Sequence, residues 1–136
     1  MRLFGKRKNT LSRQEIITQW LELYPRRQLK YIESDDQHIV LLVPHSQNWF
    51  TRKFLPAPKN PAQRIHLDLI GSFIWSHFDG THTLKAIAQK AQEKFAENVH
   101  PVHERLVLFA QQMYKQKFIT LYRQPYNEAL DSRDKL

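Results

Sequence analysis

The stretch LDLIGSFIWSHFDGTHTLKAIAQKAQEKF, residues 67–95, limits the fold more than any other part of the chain. Two apolar segments flank Asp79-Gly80-Thr81. In the first, Ile70, Phe73, Ile74 and Phe78 share one side of a helix predicted over 69–78. Asp68 stands where a capping carboxylate accepts from first-turn amides, and Asp79-Gly80 supplies the left-handed residue that ends a helix. Thr83 caps a second predicted helix over 84–97, with Leu84, Ile87, Ala88, Ala91 and Phe95 as its stripe. Such a pair either reads DNA as a helix-turn-helix or braces another layer.

The flanking sequence supplies that layer. Ser12-Arg13-Gln14-Glu15 is a capping box, and Ile16, Ile17, Trp20, Leu21 and Tyr24 follow at helical spacing. A helix is predicted over 13–24, stopped by Pro25. RQLKYIES (27–34) and HIVLLVP (38–44) read as a hairpin turning at Asp35-Asp36. Residues 46–62 read as a loop, although Trp49, Phe50, Phe54 and Leu55 suit packing onto the body. Gln63–Leu67 reads as a third strand, with Ile65 and Leu67 on one face and Arg64 and His66 on the other. Pro101 opens a third helix running to about Lys115, with Val102, Leu106, Phe109 and Met113 as its core stripe. Phe118–Tyr122 reads as a short strand, and the tail from Gln124 as frayed. The expected fold is therefore α+β and winged-helix-like: a three-stranded antiparallel sheet on a three-helix bundle, with an extra N-terminal helix. Three parts are expected: a basic arm and helix over 1–26, a domain over 27–122, and a flexible tail over 123–136.

Charge separates the functional classes. The net charge is +8, and residues 1–33 hold eight Lys/Arg against three Glu. The predicted third helix offers only Arg105 and Lys115, with Gln111 and Gln112, against Glu104. That is thin for phosphate neutralisation, which dominates duplex affinity, so a winged-helix nucleic-acid binder is the alternative reading. No catalytic constellation stands out: Asp35 and Asp36 fall in a turn, Asp68 and Asp79 at helix ends. Three glycines are too few for a dinucleotide fingerprint. Of seven histidines the closest pair is His100-x-x-His103, split by a helix start, with no cysteine to help. No enzymatic activity, metal or cofactor is expected. No run reaches the roughly 18 apolar residues of a membrane span. MRLFGKRKNTLSRQE lacks the apolar core of a secretory signal, so a cytoplasmic location is expected.

Residues 67–95, followed by VHERLVLFAQQMYKQKFI (102–119), resemble the PqqD family. The likeness extends over 27–34, 38–46 and 63–121; the extra N-terminal helix, the long 47–62 connection, and Lys117-Phe118 where a Gly is common depart from it. The resemblance implies a peptide chaperone without chemistry of its own. Such a protein holds the leader of a ribosomally made precursor peptide and presents it to a modifying enzyme, often a radical-SAM enzyme. It also implies that the leader adds as a strand along the third sheet strand, against the third helix. On that helix His103, Val107, Ala110 and Tyr114 form a second, semi-apolar stripe beside the core stripe. The expected peptide site is therefore Arg64, Ile65, His66 and Leu67 facing His103, Val107, Ala110 and Tyr114. Val107→Glu would then weaken peptide binding at least about tenfold without unfolding the protein. Alternatively, the N-terminal helix covers this stripe.

Overall fold

The computed structural model describes residues 11–44 and 62–128. The basic arm before Leu11, the aromatic connection over 45–61 and residues 129–136 lie outside the described residues. The described chain is α+β, with four α-helices and a three-stranded antiparallel sheet.

Helix α1 (Arg13–Leu21) starts at the predicted box. The Glu15 amide donates to Ser12 Oγ, and the Ser12 amide to Glu15 Oε1, both at 3.1 Å. The helix stops earlier than expected, because the chain is taken into a strand, β1 (Tyr24–Arg27). Its partner is β5 (Ile119–Tyr122), in register Tyr24↔Tyr122 and Arg26↔Thr120. Pro25 is thus inside a strand rather than a stop. The Gln28 amide donates to the Phe118 carbonyl, so alternation turns the backbone of Tyr24 and Arg26 towards β5. The missing N–H of Pro25 falls on the other side, where a strand tolerates proline. On that side the Gly80 amide donates to Pro25 O (2.7 Å) and the Arg27 amide to Phe78 O (2.8 Å).

The main sheet has the order β2–β3–β4, with β2 (Tyr31–Glu33), β3 (Ile39–Pro44) and β4 (Ala62–His66). Leu41 pairs with both Tyr31 and Ile65, and Val40 with both Ile32 and His66. One face carries Leu41 and Ile39, both buried, against the helices. Buried Ser72 ties that face to α2 (Leu69–Ser76): its hydroxyl accepts from the Ile39 amide at 2.8 Å.

Asp68 caps α2, its Oδ1 accepting from Gly71 N at 2.7 Å. The helix ends before Phe78, not at Asp79-Gly80 as the sequence suggested. At the stop, Arg27 Nη1 donates to the carbonyls of Trp75 (3.1 Å) and Ser76 (3.0 Å), and the Trp75 carbonyl also accepts from the Phe78 amide (3.0 Å). Phe78 then turns fully into the core. Helix α3 (Leu84–Phe95) follows the Thr83 cap, and a 3-10 turn (Ala96–Val99) leads to α4 (Val102–Lys115). At the end of α4 the Lys117 amide donates to Tyr114 O and the Phe118 amide to Met113 O, the paired bonds of a Schellman ending. The tail does not fray at Gln124: Tyr126 N donates to Gly80 O (2.8 Å), and its ring lies 4.1 Å from the Arg26 guanidinium.

Candidate functional site

The three-stranded sheet has two edges, and β4 is the one beside the last helix. Leu67 N donates to Ile39 O at 2.9 Å, towards β3. Alternation then aims the amides and carbonyls of Arg64 and His66 away from β3. Among the described residues no strand pairs with that side. Arg64 and His66 are exposed, while Ile65 and Leu67 pack partly against the core.

A cleft of about 400 Å³ continues from this strand. His66, Leu67 and Asp68 form one side, Ile70, Gly71 and Ile74 of α2 the floor, and Arg105, Leu106 and Phe109 of α4 the opposite side. Its polar groups sit at the rim. Asp68 is committed to its cap, and Arg105 donates through Nη1 to Asn98 O at 2.8 Å. The cleft can therefore take an apolar side chain while the neighbouring strand edge pairs with main chain.

The structure brings Arg64, Ile65, His66 and Leu67 together on this strand, with His66 and Leu67 at the cleft. It places the rest of the expected site elsewhere. Val107 and Ala110 are 3% and 0% exposed. They belong to one apolar cluster with Ile17 and Leu21 of α1. Helix α1 lies alongside α4: Arg13 pairs with Glu104 (3.7 Å) at one end, and Trp20 meets Tyr114 edge-on (6.0 Å) at the other. His103 likewise borders α1, in a cleft shared with Gln14 and Ile17. The second stripe of α4 is thus roofed by the extra helix. The face beside β4 is made by Arg105 and Phe109, with Leu106 beneath them. A wheel drawn for one helix separates two apolar stripes but does not say which neighbour covers which. Phe109 was legible as apolar; Arg105 carried no signal apart from its place four residues before Phe109.

Two other clefts are larger, about 710 and 520 Å³, and both border α1. Neither adjoins the open edge of β4. Among the described residues, no group of three or more His, Cys, Asp or Glu is gathered to hold a metal ion, and no helix is long and apolar enough to cross a membrane. Among the described residues three carboxylates are lowered: Glu15, by the Ser12 amide and hydroxyl of its capping box, and two in turns. Asp36 is lowered to about 2 by the Ser34 hydroxyl first, then by His38. Asp79 is also held at about 2. Its partial burial would raise it, but the Thr81 amide, the His82 ring and the Thr81 hydroxyl together outweigh that. Neither lies in the β4–α4 cleft.

The comparison with known families matches residues 39–119 to the model of coenzyme PQQ synthesis protein D. The match spans more than half of the chain and runs from β3 to the start of β5. This chain belongs to the PqqD family. No curated protein and no solved structure gave a match. The PqqD match begins after α1 and β1, so the helix that roofs α4 lies outside it. It does contain β4 and every residue that lines the β4–α4 cleft.

Proposed function

We propose that this chain binds the leader of a ribosomally made precursor peptide by strand addition to β4 and presents it to a modifying enzyme. It performs no reaction of its own. The carrying observation is that the outer edge of β4, which no strand among the described residues pairs, runs into the cleft beside Phe109. Membership of a family named for coenzyme PQQ synthesis supports an accessory part in making a cofactor or modified peptide. In this winged-helix-like reading α2 and α3 brace the sheet rather than enter a groove.

The magnitudes require both halves of the site. Arg64 and His66 offer two amides and two carbonyls, and each bond contributes about 0.5–1.5 kcal/mol net. That totals about 2–6 kcal/mol, short of the roughly 8 kcal/mol of a micromolar complex. Burying one Leu or Phe side chain in the cleft adds about 1.5–3 kcal/mol. A micromolar or weaker complex is expected, suited to handing the peptide on.

Arg64→Pro tests the mode. The Arg64 amide points away from β3, so proline removes an edge donor and leaves the β3–β4 ladder intact. A peptide encoded beside this gene should bind the natural protein, protect the Arg64 and His66 amides from hydrogen exchange, and lose at least about tenfold in affinity to the variant. Binding that leaves both amides unprotected would sink strand addition.

Nucleic-acid binding has weaker support. The described residues hold 12 Lys/Arg against 11 Asp/Glu, while residues 1–10 and 45–61 hold seven Lys/Arg and no acid. The described part of the chain is thus nearly neutral, and α4 keeps Arg13 of α1 on Glu104 rather than a basic face. A gel shift at about 50 mM salt should show no duplex complex.

A further inference from the structure

We propose that the β4 edge selects a strand whose residues alternate between acidic and apolar side chains. The inference rests on strand addition and names the chemistry of the strand that fits.

The two faces of the edge differ in kind. Cross-strand pairing sets Ile32, Val40 and His66 in one row of the outer face, and Leu42 and Arg64 in the next. Lys30, whose carbonyl accepts from Leu42 N, extends the second row. No acidic residue stands in either row. Arg64 makes no ion pair or hydrogen bond among the described residues. The opposite face descends into the cleft walled by Leu67, Ile70, Ile74, Leu106 and Phe109.

A strand added to β4 sends successive side chains to these two faces in turn. Those on the outer face lie beside Arg64 and His66, where opposite charge stabilises and like charge repels. Those on the inner face meet the apolar wall of the cleft, which Asp68 and Arg105 also border. Period-two alternation of acid and apolar residues satisfies both. The same arginine acts against self-association. If two copies paired antiparallel about the middle of β4, one Arg64 would face the other.

The test uses the full chain and dye-labelled synthetic peptides of about ten residues, read by fluorescence anisotropy. One alternates Leu with Glu, one Leu with Gln, one Leu with Lys, and a fourth carries the Leu/Glu composition in two blocks. The expected order is Leu/Glu tightest, Leu/Gln between, and Leu/Lys about tenfold weaker than Leu/Glu, with the gap narrowing as salt is added. The block peptide should bind worse than the alternating one. Arg64→Glu, at an exposed position, should invert the order of Glu and Lys peptides. Equal affinity for the three alternating peptides overturns charge selection and leaves strand addition standing. A block peptide as tight as its alternating counterpart overturns the pattern. If none of the four binds, strand addition falls with it.

Discussion

Lys117 sits at φ 67°, in the left-handed region, at the residue that closes α4. A side chain there costs about 1–2 kcal/mol, against roughly 0.5–1 kcal/mol of extra chain entropy for glycine. Lys117→Gly is therefore expected to stabilise the protein by about 0.5–1 kcal/mol, read as a higher urea midpoint at unchanged slope. Gly80, at φ 85°, has no such freedom, because an added Cβ would lie 2.7 Å from the Tyr126 Cβ. Asp79 beside it sets a pH dependence. Its carboxyl titrates at about 2 in the folded chain, below the roughly 3.9 of an unfolded one. The unfolded state therefore takes up the proton first. The contribution of Asp79 is complete above about pH 4 and is lost as pH falls towards 2. Asp79→Asn should flatten the stability curve over that window while leaving its shape near neutrality unchanged. An acid limb equally steep in the variant would assign the effect to another carboxylate.

Among the elements, α1 changes what a substitution on α4 means. Val107 is roofed by Ile17 and Leu21, so Val107→Glu forces a carboxylate among buried apolar side chains. Loss of cooperative unfolding, or a fall of several kcal/mol in stability, is expected, rather than the selective loss of binding that the sequence alone suggested. Circular dichroism during thermal denaturation decides between them. The reason for the difference is physical. Capping boxes, periodic stripes and Asp-Gly turns are local, and the helices over 13–21, 69–76, 84–95 and 102–115 were legible from them to within a few residues. The hairpin and the third strand were legible from alternation in the same way. What pairs with Tyr24–Arg27 was not, since its partners lie more than fifty residues away and Pro25 reads as a break in any short window. For the site, β4 was visible as an alternating strand, whereas the choice between the two stripes of α4 depended on where α1 docks.

At the scale of the whole molecule, the two-stranded sheet gathers distant parts of the described chain. β1 holds β5 on one side and the Phe78–Gly80 segment on the other, and Tyr126 closes over Gly80 and Arg26. Helices α1 and α4 are thereby fastened to both ends of the described chain. The unit is expected to unfold in one step, with tryptophan fluorescence and far-ultraviolet circular dichroism giving the same urea midpoint. A first transition seen by fluorescence alone would mean that α1, which carries Trp20, detaches separately.

The pairing of Tyr24–Arg27 with Ile119–Tyr122 also orders events during synthesis. The ribosome releases the first of these strands early and the second nearly a hundred residues later. Until then Leu121 and Tyr122, both almost wholly enclosed in the finished protein, are missing from the core. The growing chain can coil its helices, but it must carry their apolar faces uncovered until that strand emerges. Closure waits for the last strand, so a ribosome that stalls before it leaves an open, sticky intermediate for a holdase or protease rather than a smaller working domain.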